Sequence, residues 1–244
     1  MVSYIRGKVY SGSPVSVWGE EETIGLPELA VRVHAPPLLY QRSGDLIWFD
    51  DFESPVIKYY GAGEVYRTTK TARFGCGSYS VKMKTGSTNG DFVHLMYSIY
   101  DYVASKTGFG VSVALADDLD NFKLYIKMII NRGDHEYRGF IYYNYSDRKL
   151  YYLNENNEYE SFGITWLVPD YKHFTTLKLV IDPVAGKYDK LFYGSEVYDL
   201  SNYNLRVTET VTTTRIRVYM TLETLEDASK ECYVDSVFVT INER

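Results

Sequence analysis

From Leu46 to the C-terminus, apolar residues fall at every second position in run after run of the chain. In 122–130, Leu124, Ile126, Met128 and Ile130 share one side, and Lys123, Tyr125 and Lys127 share the other. In 215–222, Ile216, Val218, Met220 and Leu222 alternate against Arg215, Arg217, Tyr219 and Thr221. Leu177, Leu179 and Ile181 alternate against Thr176, Lys178 and Val180. Successive side chains of a strand point to opposite faces, so period two is the strand signal. One face of each strand then packs on a second sheet, and the other meets solvent or a ligand.

Turn-forming residues punctuate these runs. Strands are expected at 46–49, 79–83, 92–99, 109–116, 122–130, 137–145, 149–153, 174–181, 187–193, 215–222 and 233–241. Between them lie Gly75-Cys76-Gly77, Asn131-Arg132-Gly133, Ser146-Asp147, Asn154 to Asn157, Asp182-Pro183 and Ala185-Gly186. About a dozen short strands with regular turns predict an all-β, antiparallel two-sheet sandwich. A segment at 222–230 reads equally as a short helix or a polar loop.

Residues 1–45 differ from the rest. Pro36-Pro37 cannot sit inside a sheet, and Gly44 follows. Short runs such as 15–18 and 29–33 are too few to build a core, yet Trp18, Ile24, Leu26, Leu29, Val31 and Val33 call for burial. The expectation is an extended N-terminal arm on a 46–244 sandwich, packing on that domain or on a neighbouring subunit.

Composition narrows the partners. The formal net charge is -6, which disfavours nucleic acid, whose affinity comes from Lys and Arg neutralising phosphates. The first residues lack the apolar stretch of a secretory signal, and no apolar run is long enough for a membrane span. Cys76 and Cys232 each precede an expected strand; they form a bridge if the strand starts are neighbours, and buried free thiols otherwise. The unusual component is aromatic: 25 Tyr, 11 Phe and 3 Trp, side chains that pack well on a pleated surface.

The chain resembles the concanavalin A-like lectin/glucanase jelly roll, including laminin-G-like domains and carbohydrate-binding modules. The resemblance rests on four stretches in order: the opening Asp50-Asp51-Phe52-Glu53-Ser54, the turn and strand of 75–83, the paired strands of 173–182 and 186–194, and the closing strand of 233–239. The arm-plus-jelly-roll arrangement also resembles accessory proteins of phage particles. Such folds host many functions. The resemblance implies glycan binding, glycan cleavage or structural adhesion.

Two sets of residues are candidate sites. Tyr125, Lys127, Arg217 and Tyr219 lie opposite the core face, with Tyr142, Tyr143 and Tyr145 on a nearby hairpin. Rings stack on sugars, and Lys or Arg bond hydroxyls and acidic groups; the same face also suits a subunit interface or plain cross-strand stabilisation. Asp50, Asp51, Glu53 and Asp235 are the second set, a group of hard oxygen ligands suited to calcium if the first and last strands adjoin. Glycoside hydrolysis needs two carboxyl groups flanking one bond, and no expected strand carries such a pair. Nor does any fixed spacing link His94, His135 or His173 to a tyrosine. The sequence therefore favours a non-enzymatic structural or adhesive protein at a virion or extracellular surface, oligomerising through its arm. A carbohydrate-binding module is the second expectation, and a polysaccharide-cleaving enzyme the third.

Overall fold

The computed structural model describes residues 44–55, 58–69, 78–100, 105–115, 120–165, 174–194, 196–210 and 213–243. Residues 1–43 of the expected arm, Cys76 and His173 lie outside them. Every regular element among the described residues is a strand. They are β1 (Asp45–Asp50), β2 (Tyr60–Ala62), β3 (Glu64–Thr68), β4 (Ser80–Lys84), β5 (Phe92–Tyr100), β6 (Thr107–Leu115), β7 (Phe122–Arg132), β8 (His135–Asn144), β9 (Lys149–Leu153), β10 (Tyr159–Thr165), β11 (Thr175–Asp182), β12 (Lys187–Tyr193), β13 (Glu196–Asp199), β14 (Arg206–Glu209), β15 (Arg215–Thr224) and β16 (Glu231–Ile241). No helix among the described residues is long and apolar enough to cross a membrane.

The strands form two antiparallel sheets. The back sheet runs β13-β12-β11-β6-β16-β4-β3, with β1 pairing the second half of β16. The front sheet runs β10-β9-β8-β7-β15-β5-β2, with β14 pairing the first half of β8. Every run from Leu46 onward that alternation marks as a strand is one. The 222–230 segment is the end of β15 followed by a loop, not a helix.

The core lies between the sheets. The front sheet contributes Leu124, Ile126, Met128, Ile130, Ile216, Val218, Met220 and Leu222, the side that alternation assigns inward. The back sheet contributes Phe109, Val111, Val113, Leu177, Leu179 and Ile181. In β16 the inward set is Cys232 and Val234, then Val237 and Val239, so the alternation changes phase. A bulge explains this: the register with β6 shifts between Asp235 and Phe238, and Ser236 sits at φ 54°. Cys232 is a buried free thiol, and its expected partner Cys76 lies outside the described residues. Its apolar surroundings push the thiol pKa far up, which makes it unreactive.

Tyr188 ties the two sheets together. It belongs to β12 in the back sheet and is fully buried. Its hydroxyl donates to the Leu153 carbonyl at 2.9 Å and accepts the Phe140 N–H at 3.1 Å, both in the front sheet. A buried polar tip with partners on both sides fixes how the sheets sit over each other.

The back sheet departs from the expected pattern. Its outward face is not open: Thr176, Lys178 and Val180 of β11 are all buried, as are Ser112, Ala114, Tyr233 and Phe238. Part of this layer lies over a row of small residues on the outer side of β6. Gly108 and Gly110 leave room for neighbouring side chains to lie flat on the sheet. The Phe238 ring covers Gly110, and Lys178, Thr240 and Glu243 crowd over Gly108. Among the described residues, the broad open cleft lies on the outer face of the front sheet.

Candidate functional site

Register across the front sheet builds the site. Antiparallel pairing places His94 of β5 opposite Thr221 of β15, then Tyr125 of β7, Tyr142 of β8 and Tyr151 of β9, all in one row. The next row is Met96, Tyr219, Lys127 and Phe140. On the other side, Phe92 lies opposite Glu223. Residues in register on one face are the closest neighbours a sheet makes. The outward residues of five separate strands thus converge.

Their side chains enclose a cleft of ≈ 390 Å³ lined by Phe92, His94, Tyr125, Lys127, Phe140 and Tyr219, closed further by Ile129, Tyr159, Thr221 and Glu223. That volume and a mainly aromatic wall with a few polar groups are usual for a small-molecule or sugar site. Phe92 and Tyr159 stand at the rim, both exposed.

The rings are ordered by one another. Tyr142 packs against Tyr125 at 5.0 Å, stacks on Tyr151 at 5.0 Å and meets Tyr159 edge-on at 4.9 Å. His94 stacks on Phe92 at 5.7 Å and meets Tyr219 edge-on at 6.1 Å. Such contacts hold flat surfaces in place before any ligand arrives.

Charge in the cleft is unevenly met. The Tyr125 hydroxyl donates to Glu223 Oε1 at 2.9 Å, which engages one oxygen of that carboxylate. Lys127 Nζ lies 4.4 Å from the Tyr125 ring centroid and 5.7 Å from that of Phe140. Burial holds the Lys127 pKa below the usual ammonium value, with Glu223 opposing in part. Burial likewise lowers the His94 pKa, and the Lys127 charge lowers it further. The Tyr159 and Tyr142 pKa values are each pushed up to about 12, chiefly by burial, so both phenols stay protonated at neutral pH.

The candidate residues from the sequence divide in three ways. Tyr125, Lys127 and Tyr219 line the cleft. Tyr142 stands directly behind it, bracing Tyr125 and Tyr159. Its neighbours on the hairpin do not share its face: Tyr143 turns into the core, and Tyr145 packs on Phe122. Arg217 sits one step along the strand from Tyr219, where it bonds Glu136 Oε2 at 2.6 Å within a group that includes Asn131 and Arg138. That ion pair directs its guanidinium away from the cleft lining.

The acidic set is employed locally. Asp50 Oδ1 accepts the Phe52 N–H at 2.9 Å, and Asp51 Oδ1 accepts the Glu53 N–H at 3.1 Å. Glu53 Oε1 accepts the N–H groups of Ser78 and Tyr79. Asp235 is buried in β16, where Ser236 Oγ donates to it at 3.2 Å. Among the described residues no group of three or more His, Cys, Asp or Glu is arranged to hold a metal ion, so these four acids are not drawn together into one.

Sequence reasoning missed Phe92, His94, Phe140, Tyr159 and Glu223. For Glu223 a signal existed: it continues the outward series Arg215, Arg217, Tyr219 and Thr221 by one more step. For His94 there was none, because the pairing of β5 with β15 cannot be read from either strand.

No family model and no curated protein matches the sequence. Solved structures do. The endo-β-1,4-glucuronan lyase of the fungus Trichoderma reesei superposes with a TM-score of 0.54 at 14% identity, over 81% of this chain and 96% of that one. A carbohydrate esterase of the Shiga toxin-encoding bacteriophage phi24B superposes with a TM-score of 0.51 at 11% identity, over 82% of this chain and 100% of that one. The fold is the concanavalin A-like jelly roll. At these identities the likeness establishes architecture alone, and the cleft on the front sheet must be read on its own chemistry.

Proposed function

We propose that this jelly roll binds carbohydrate in the front-sheet cleft. The observation that carries the reading is the convergence of Phe92, Tyr125, Phe140, Tyr159 and Tyr219 around one cationic side chain, Lys127, on the outer face. Aromatic rings accept the C–H faces of sugars, and the lining polar groups, the Thr221 hydroxyl and the Glu223 carboxylate oxygen that Tyr125 leaves free, supply hydrogen bonds to hydroxyls. The adhesive role expected from the sequence is compatible with this, since attachment through a glycan is adhesion. A glycan array with the wild-type chain tests it. Tyr219→Ala, which removes one wall of the cleft, should reduce signal by about tenfold or more, as loss of a central aromatic contact does at other recognition surfaces. A wild type that binds no glycan ends the proposal.

One observation favours a second reading, cleavage of the bound glycan. His94 is held in its neutral form beside Tyr219, so an imidazole base and a phenol face the same space. Two-carboxylate hydrolysis is poorly served, because Glu223 is the only carboxylate among the described lining residues. A reducing-end assay over a polysaccharide panel decides this, with no new ends counting against cleavage. Oligomerisation through residues 1–45 is a separate proposal, resting on the apolar residues of that segment. Deleting it should change the mass seen by light scattering; an unchanged mass would count against it.

A further inference from the structure

Lys127 is the cleft's distinctive group. It projects from the centre of β7, with strands paired on both sides, so its position is fixed by the sheet rather than by a loop. It is largely withdrawn from water among the Tyr125 and Phe140 rings. The ion pairs found among the described residues engage Lys82, Lys106, Lys178, Lys190 and Lys230, but not Lys127. The nearest acid of the cleft, Glu223, is bonded by the Tyr125 hydroxyl. A half-buried ammonium without a carboxylate partner is costly to maintain unless something binds it.

We propose that the cleft selects an anionic sugar, a uronate or a sulfated residue, whose acidic group pairs with Lys127 Nζ while its ring lies against Tyr125 and Tyr219. This rests on the glycan-binding reading and adds the ligand's charge to it. A point-charge ammonium discriminates poorly between carboxylate and sulfate, so both sources remain within the class. The rings then supply contact that any pyranose would share, and the ammonium supplies the preference.

The test is titration calorimetry of the full chain against matched polymer pairs at fixed salt. Polygalacturonate and alginate are each paired with their carboxyl-reduced forms, and dextran sulfate with dextran. A ten-nucleotide oligothymidylate is included because it too offers anions and stacking faces. The anionic member of at least one pair should bind roughly 10–100-fold tighter than its neutral partner, the gain expected of a charge-assisted hydrogen bond. Lys127→Met should abolish that difference and leave the weak binding of the neutral polymer, and Lys127→Arg should restore most of it. A thermal melt of each variant checks that the fold is kept. Equal binding of both members of every pair overturns the anionic preference and leaves glycan binding standing. No binding of any polymer overturns both. Tighter binding of the oligonucleotide than of every polymer overturns both in favour of a nucleic acid ligand.

Discussion

Lys178→Met should destabilise the protein by about 3–5 kcal/mol, the usual cost of removing one partner of a buried ion pair. On a chain of this size that is a fall in melting temperature of roughly 10 °C. Lys178 lies on the outer face of β11, opposite Gly110 of β6 and Phe192 of β12. Its Nζ is 2.7 Å from Glu243 Oε1, and both side chains are 0% exposed. The ammonium also sits 5.4 Å from the Phe192 ring centroid and 5.9 Å from that of Phe238. Methionine keeps the stem that covers Gly108, so packing changes little and the loss is electrostatic. It takes the ammonium away from a carboxylate that has no route to water. The double variant Lys178→Met/Glu243→Leu should then be more stable than Lys178→Met alone, because the buried carboxylate leaves together with its ammonium partner. The Thr240 hydroxyl, which bonds Glu243, still has the Gly108 carbonyl at 3.4 Å. Urea unfolding curves of the wild type, the single and the double variants measure this. A single variant within about 1 kcal/mol of wild type, or a double variant worse than the single, would show that the pair does not hold this face as described.

The same face shows where sequence pattern stops being informative. Alternation located every strand of eight or more residues, because Leu, Ile, Val and Met at every second position leave one side that must be buried. The strands it missed have seven residues or fewer and lie toward the sheet edges or beside the end of a long neighbour. Glu64–Thr68, Glu196–Asp199 and Arg206–Glu209 are exposed or half-buried throughout. They are strands because a neighbouring strand offers its backbone groups, and that offer leaves no mark in their own residues. Lys178 was assigned to an open face for a related reason. A lysine on the polar side of an alternating run reads as solvated, and only the placement of Glu243, Phe192 and Phe238 around it makes it interior. The cleft was half legible. Tyr125, Lys127 and Tyr219 follow from the phase of two strands, whereas His94 and Tyr159 join them only through the order of strands in the sheet. In β6 a readable signal was passed over: large Phe109, Val111 and Val113 alternate with small Gly110, Ser112 and Ala114. A strand with bulk on one side and almost none on the other leaves space for a second layer of side chains.

Gly110→Val should test that second layer, with an expected loss of about 3 kcal/mol, at the upper end of the usual cost of overpacking. Two effects oppose each other. Valine suits a strand better than glycine by up to about 1 kcal/mol, which alone would stabilise β6. Against this, a Cβ at position 110 would lie 2.0 Å from Phe238 Cζ and 2.3 Å from Cε1. Those distances are far inside contact, and the ring is buried with little room to withdraw. The clash therefore outweighs the strand preference. Phe238→Ala alone should cost about 3–5 kcal/mol, since it opens a cavity on the back sheet. In the double variant the valine side chain enters the space the ring has vacated, and the loss should fall short of the two single losses added together by roughly 1–3 kcal/mol. Chemical denaturation of the four proteins completes the cycle. Losses that add within about 0.5 kcal/mol would mean the ring and the glycine do not meet. Because the substitution touches only the back sheet, the glycan binding proposed for the front cleft should survive in whatever fraction of Gly110→Val stays folded.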